Sequence, residues 1–134
     1  MAIISTMRPA VAPNYAVIVD DDPATLDVYD LTLSYLGFTP VLVSDSDRAV
    51  EKILSCKPAV VLLDQRLRGH TGIKLIGQLR AKGLTDVPII LVTASRGLGP
   101  EALTAGASAC VEKPFEVSEL IDVIQRHTTE ISAA

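Results

Sequence analysis

Short β-branched runs alternate with stretches of helical period five times along this chain. The runs predict strands over Ala16–Val19, Thr39–Val43, Ala59–Leu63, Pro88–Val92 and Ala109–Glu112. Four of them are almost continuously apolar, as strands of a parallel sheet covered on both faces must be. The second carries Pro40, which cannot donate to a ladder and therefore belongs on an edge.

Helical patterns fill the gaps. Asp22-Pro23 supplies an N-cap and a first-turn proline, and Leu26, Tyr29, Leu33 and Leu36 then form a stripe that stops at Gly37. Ser46 or a neighbouring Asp is expected to cap a second helix with Val50, Ile53 and Leu54 inward. A third is predicted from about Gly72 to Ala81, with Ile73, Ile76 and Leu79 inward and Gly83 as its stop. The fourth is feeble: Gly97, Gly99 and Pro100 make its approach loop-like and leave Glu101–Ala105 before Gly106. The fifth runs from Val117 to about Arg126, started by Glu116 or Ser118, with Val117, Leu120, Ile121 and Ile124 on its inner face. Strands alternating with helices mean one parallel α/β sheet joined by right-handed crossovers.

A length of 134 residues fits one domain, expected over 15–127, with 1–14 a flexible N-terminal extension and 128–134 a frayed tail. No further domain is recognised after residue 127, and the chain reads as a stand-alone regulator. A net charge of −4 and scattered basic residues argue against direct nucleic acid binding. No apolar stretch approaches the roughly 20 residues that span a bilayer, so no membrane insertion is expected. Arg8 sits too late for a signal peptide. Cys56 and Cys110 are read as two reduced, buried thiols of a cytoplasmic protein.

The chemistry gathers at strand ends. Open parallel sheets bind ligands beyond the carboxyl ends of their strands, where strand order reverses. That rule brings Asp20 and Asp21, after the first strand, beside Asp64, after the third; Thr93 and Lys113 end the fourth and fifth. Carboxylates held together repel one another unless a hard cation sits among them, and all-oxygen ligands suit Mg2+. A lysine beside them is a partner for a second anion, such as a phosphoryl group. Capping alone could explain any one of these aspartates. Capping does not explain polar residues at matching ends of four strands.

Val-Asp-Asp-Asp-Pro at 19–23, Leu-Leu-Asp at 62–64, Gly72, Thr93-Ala94 and Lys113-Pro114-Phe115 resemble, in order and spacing, the receiver domain of two-component response regulators. The likeness covers about Tyr15 to His127. It implies a doubly wound, flavodoxin-like sheet of five parallel strands in the order 2-1-3-4-5, flanked by helices. It also implies that Asp64 takes a phosphoryl group from a sensor histidine kinase or phosphotransfer protein. Asp20, Asp21, Asp64 and the backbone carbonyl of Arg66 would hold Mg2+, while Thr93 and Lys113 would contact phosphoryl oxygens. Phosphorylation would then alter a surface bound by a downstream protein target, with a homodimer as one form. The chain would be no enzyme beyond self-phosphorylation from a phosphodonor and slow autodephosphorylation.

Three departures stand out. Cys110 occupies the place, three before Lys113, where the family usually has an aromatic ring that moves inward as the threonine closes on phosphate. The stretch from Thr93 to Lys113 is shorter than usual, at the feeble fourth helix. Arg68 stands where proline is common, and Thr71 where an acidic or small polar residue is frequent. A phosphorylation-independent adaptor is therefore the alternative reading.

Other chemistries fit worse. Gly69-His70-Thr71-Gly72-Ile73-Lys74 lacks the spacing of a phosphate-binding loop, and no dinucleotide fingerprint or nucleophile elbow exists. His70 and His127 have no zinc spacing with either cysteine, and His70 reads as a solvated loop residue, or one flanking the phosphorylation pocket. An aspartyl phosphatase would need a carboxylate two residues after Asp64, where Arg66 stands.

Overall fold

The computed structural model describes residues 14–133, with side chains described through Thr128. All but Asn14 of the expected N-terminal extension lies outside these residues. In chain order the elements are β1 (Tyr15–Val19), α1 (Pro23–Tyr35), β2 (Thr39–Val43), a 3-10 turn (Ser46–Arg48), α2 (Ala49–Cys56) and β3 (Val60–Asp64). A two-residue hairpin follows, β4 (Arg66–Leu67) and β5 (His70–Thr71), leading into α3 (Gly72–Ala81). The chain continues as β6 (Ile89–Thr93), α4 (Gly99–Ala105), β7 (Ala109–Glu112) and α5 (Val117–Ala133).

The main sheet is parallel throughout and ordered β2-β1-β3-β6-β7. Leaving the hairpin out of the count, this is the expected 2-1-3-4-5 order. Side chains of successive strand residues point to opposite faces, and both faces are filled. Val17, Val19, Val61, Leu63, Ile89 and Leu91 pack with Ile53, Ile76, Leu79 and Ala102 under α2, α3 and α4. Ala16, Ile18, Val60, Leu62, Ile90 and Val92 pack with Leu26, Tyr29, Leu33, Leu120 and Ile124 under α1 and α5. Burying each such aliphatic side chain is worth roughly 1.5–3 kcal/mol. Pro40 does lie on an edge strand, since β2 pairs only with β1.

Several local expectations need correction. Of the two caps expected for the second helix, the neighbouring Asp45 is the one used, but it caps the 3-10 turn by accepting from the Asp47 amide, and α2 has no side-chain cap; Ser46 is buried and bonded elsewhere. Helix α3 is capped by Thr71 and buries Leu75 more fully than Ile73. Helix α4 begins two residues early, at Gly99, with Pro100 in its first turn where no amide is missed. Val117, expected on the inner face of α5, is exposed at the helix's first residue. That helix also runs past Arg126 to Ala133, so the segment expected to fray from 128 continues as helix. The two cysteines are half-buried, not buried, and Cys56 closes α2.

Candidate functional site at the carboxyl end of the sheet

Four of the five strands, all but the edge strand β2, end by delivering a polar side chain to the same edge. Asp20 follows β1 directly; its amide donates to the Val43 carbonyl at 3.1 Å, which carries the β1–β2 ladder one step beyond the strands. Its side chain is buried, and Oδ1 accepts the Asp22 amide at 2.9 Å. Oδ2 is buried and has no partner among the described residues. Asp22 faces away and caps α1, accepting from the Ala24 amide and the Thr25 hydroxyl.

Asp64 is the last residue of β3, the middle strand, and is half-buried. Its Oδ1 accepts the Gln65 amide at 3.0 Å and lies 3.5 Å from Lys113 Nζ. Burial pushes the Asp64 carboxyl above the ordinary carboxylate range; Lys113 opposes this and the Asp21 charge adds to it. The Asp20 carboxyl is pushed up too, first by burial, against the pull of the Asp22 amide, and then by the charge on Asp64. The Asp64 charge thus presses on Asp20, and the Asp21 charge on Asp64.

Thr93 ends β6 and is buried, with Oγ1 accepting the Ser95 amide at 2.9 Å. Its carbonyl accepts the Lys113 amide at 2.7 Å, which fixes where Lys113 leaves β7. The Lys113–Pro114 peptide is cis. Asp21 reaches across the edge instead of into it: Oδ2 accepts the Arg68 amide at 2.7 Å. Arg66, whose carbonyl was expected to join the site, starts the hairpin two residues beyond Asp64.

Gly72 explains itself in this setting. A Cβ there would lie 2.5 Å from the Asp64 carbonyl oxygen and 2.5 Å from Leu91 Cδ1. Only glycine lets α3 start directly beneath the Asp64 backbone. The Gly72 amide donates to the Gln65 carbonyl at 2.9 Å, closing the loop after Asp64.

The donor set is oxygen only, and one buried oxygen has no partner. Among the described residues no three acidic, histidine or cysteine side chains form a closed metal cage. Such a cage is not what Mg2+ needs; it commonly binds through one or two carboxylates and keeps several waters. The residues fit that cation.

A sequence profile of the response regulator receiver domain matches residues 16–125. The chain belongs to the response regulator receiver domain family. Among curated relatives of this receiver domain, "Response regulator MprA" of Mycobacterium ulcerans is 35% identical over 78% of this chain and 46% of its own length. The "Phosphate regulon transcriptional regulatory protein PhoB" of Escherichia coli is 32% identical over 87% of this chain and 52% of its own. The chain thus spans about half the length of the curated relatives it matches. Among solved structures, a CheY-like receiver domain of Methanospirillum hungatei covers 89% of this chain and 96% of itself, with a TM-score of 0.80 and 26% identity. The Thermotoga maritima response regulator TrrA, solved in complex with Mg(2+)-BeF, covers 85% of this chain and 98% of itself, with a TM-score of 0.77 and 26% identity.

The receiver domain's own residues hold details that sequence reasoning missed. The hairpin β4–β5 went unforeseen, because two-residue strands carry no readable period. His70 is not a solvated loop residue: it lies on β5, half-buried, with Nε2 2.5 Å from Asp47 Oδ1. Gln65 Oε1 accepts the Ile73 amide at 2.9 Å and so ties the Asp64 loop to α3. Arg80 donates to the carbonyls of Leu84, Val87 and Gly106, tying the far end of α3 to the approaches to β6 and β7. No helix among the described residues is long and apolar enough to cross a membrane.

Proposed function

We propose that this receiver domain is a phosphoacceptor, and that Asp64 takes a phosphoryl group from a phosphohistidine on a sensor histidine kinase or phosphotransfer protein. The observation that carries the reading is the environment of Asp64. It stands at the carboxyl end of the central strand, 3.5 Å from Lys113, with its pKa raised by burial and by the Asp21 charge, while burial and the Asp64 charge raise that of Asp20, whose Oδ2 lacks a partner among the described residues. In the transfer an Asp64 carboxylate oxygen bonds to phosphorus as the phosphorus–nitrogen bond breaks, and the imidazole keeps the electron pair. Charge in the transferring group spreads over its equatorial oxygens, so positioning and electrostatic stabilisation are what a protein can supply.

Each neighbouring group has a task in that scheme. Lys113, already paired with Asp64, neutralises one phosphoryl oxygen. The Thr93 hydroxyl turns its hydrogen to another while Oγ1 keeps the Ser95 amide. Asp20, Asp21, Asp64 and the Arg66 carbonyl would hold Mg2+. When bound, the cation offsets the like charges and draws density from the phosphoryl oxygens. The consequence for signalling is a changed surface read by a downstream protein. The scattered basic residues and net charge of −4 favour protein over nucleic acid as the direct partner.

Incubation with Mg2+ and a small phosphodonor should add one phosphoryl mass to the parent protein and none to Asp64→Asn. Labelling that persists in the variant sinks the assignment. Failure of the parent to label with both reagents present favours the phosphorylation-independent adaptor, the reading that Cys110 and the seven-residue α4 support.

A further inference from the structure

The hairpin after Asp64 is held from outside by a segment to which no role in the site has been given. Gly69, at φ +71°, turns the chain between β4 and β5, and Arg66 pairs with Thr71 and Leu67 with His70. So small a ladder cannot fix its own position, since two-stranded ribbons are marginal even when long. Two side-chain bonds fasten it to the 3-10 turn between β2 and α2. The Ser46 hydroxyl, buried, donates to the Arg68 carbonyl at 3.0 Å. His70 Nε2 meets Asp47 Oδ1 at 2.5 Å, and a carboxylate there requires Nε2 to carry the hydrogen. The turn is itself braced, because the Asp45 side chain accepts the Asp47 amide at 3.0 Å.

From the hairpin the path leads to the site. The Arg68 amide donates to Asp21 Oδ2 at 2.7 Å, across 47 residues of sequence. One residue links the two bonds: the carbonyl that Ser46 holds and the amide that holds Asp21 both belong to Arg68. The geometry points to Ser46 and the His70–Asp47 pair as positioning residues for the metal site, which orient Asp21 and the Arg66 carbonyl through the hairpin. This rests on the proposed function, in which those two groups take the cation. The hydrogen bond engages Asp21 Oδ2 and keeps the carboxylate from swinging to solvent, so that Oδ1 would be the oxygen offered to a cation. Loss of a hydrogen-bond partner behind a ligand weakens metal binding even though the ligand itself remains.

The test is a Mg2+ titration of metal-free protein by calorimetry, with urea unfolding of the same metal-free samples. Ser46→Ala and His70→Leu should each raise the Mg2+ Kd by about tenfold. His70→Gln, which keeps an N–H donor at similar reach, should recover most of that loss. In an Asp21→Ala background, Ser46→Ala should raise the Kd by much less than tenfold, because only the Arg66 carbonyl is left for it to position. The Arg68 amide should exchange faster in Ser46→Ala before any metal is added. A merely structural role predicts a lower urea midpoint with the parent's Kd. That result in both single variants overturns the inference and leaves the proposed function standing. Should Ser46→Ala fail to fold, the His70 pair of variants decides the matter alone. A parent that binds no Mg2+ overturns both the inference and the metal site it rests on.

Discussion

The two corners of the sheet's carboxyl end differ in how firmly they are held. At the β1–β3 corner, Asp20, Asp21 and Asp64 all have backbone amides on their carboxylates, and the hairpin beside them is tied to the β2–α2 turn. At the β6–β7 corner, Thr93 is buried, but the chain beyond it runs exposed or half-exposed to Glu101. Its anchors include the Ser95 amide on Thr93 Oγ1 and the Gly97 amide on Glu112 Oε2. Helix α4 has seven residues and no side-chain cap, and a cleft of about 530 Å³ opens between Arg96, Cys110 and Glu119. Segments with few buried contacts open most cheaply. Under the proposed function, the phosphoacceptor and its metal ligands would sit at the stitched corner and the response would leave by the loose one.

The harshest way to break the stitched corner is to push α3 off Asp64. Gly72→Ala must displace the Asp64 carbonyl or Leu91, and should cost about 2–3 kcal/mol by urea denaturation. Gly77→Ala, on the same helix with nothing within 4 Å of a new Cβ, should instead add about 0.5–1 kcal/mol. Equal effects would mean that the close approach under Asp64 is not what glycine serves.

Metal linkage comes next. Mg2+ at about a hundred times its Kd should raise the unfolding free energy by about 2.7 kcal/mol, since it binds the folded site alone. Asp21→Ala should remove most of that gain. An unchanged thermal midpoint in the parent would count against the metal site.

A smaller effect is expected from the crowded carboxylates without metal. Burial raises the Asp20 carboxyl above its unfolded value, so the folded state binds its proton more tightly. That contribution is complete below the ordinary carboxyl range and is lost as pH rises through the raised folded value. In chelator, Asp20→Asn should therefore gain about 1 kcal/mol over the parent at neutral pH, and the gain should shrink as pH falls toward the ordinary carboxyl range. A gain that is constant with pH would assign the effect to packing. Asp64 is raised as well, so the variant should flatten the acid-side slope without abolishing it.

Much of this was readable in the chain, for physical reasons that also mark where reading stops. β-branched runs covered on both faces announce parallel strands, and Asp22-Pro23 with Gly37 bounds α1 because each end has a local chemistry. The five polar residues at strand ends were legible because strand ends are where such sheets leave room. The hairpin was not, since two-residue strands carry no period, and neither were the Ser46 bond to Arg68 and the Arg80 bond to Gly106, since each joins a side chain without a motif to a backbone group distant in sequence. Val117 fell on the helical stripe yet is exposed, because periodicity gives a face and not how far the sheet extends beneath it. Cys110 shows the reverse case: its substitution for a ring was visible in the sequence, while its half-exposure beside a cleft was not.

Hydrogen exchange with and without the phosphoryl group tests the contrast between the corners most directly. With small phosphodonor and Mg2+ present, residues 94–106 should show the largest change in amide exchange. A thiol at 110 fills far less space than a ring, so β7 around Cys110 and helix α5 should change comparatively little. The hairpin 66–71 should be slow to exchange in both states. If β7 and α5 respond as strongly as 94–106, the loose corner is not where the signal leaves this receiver domain.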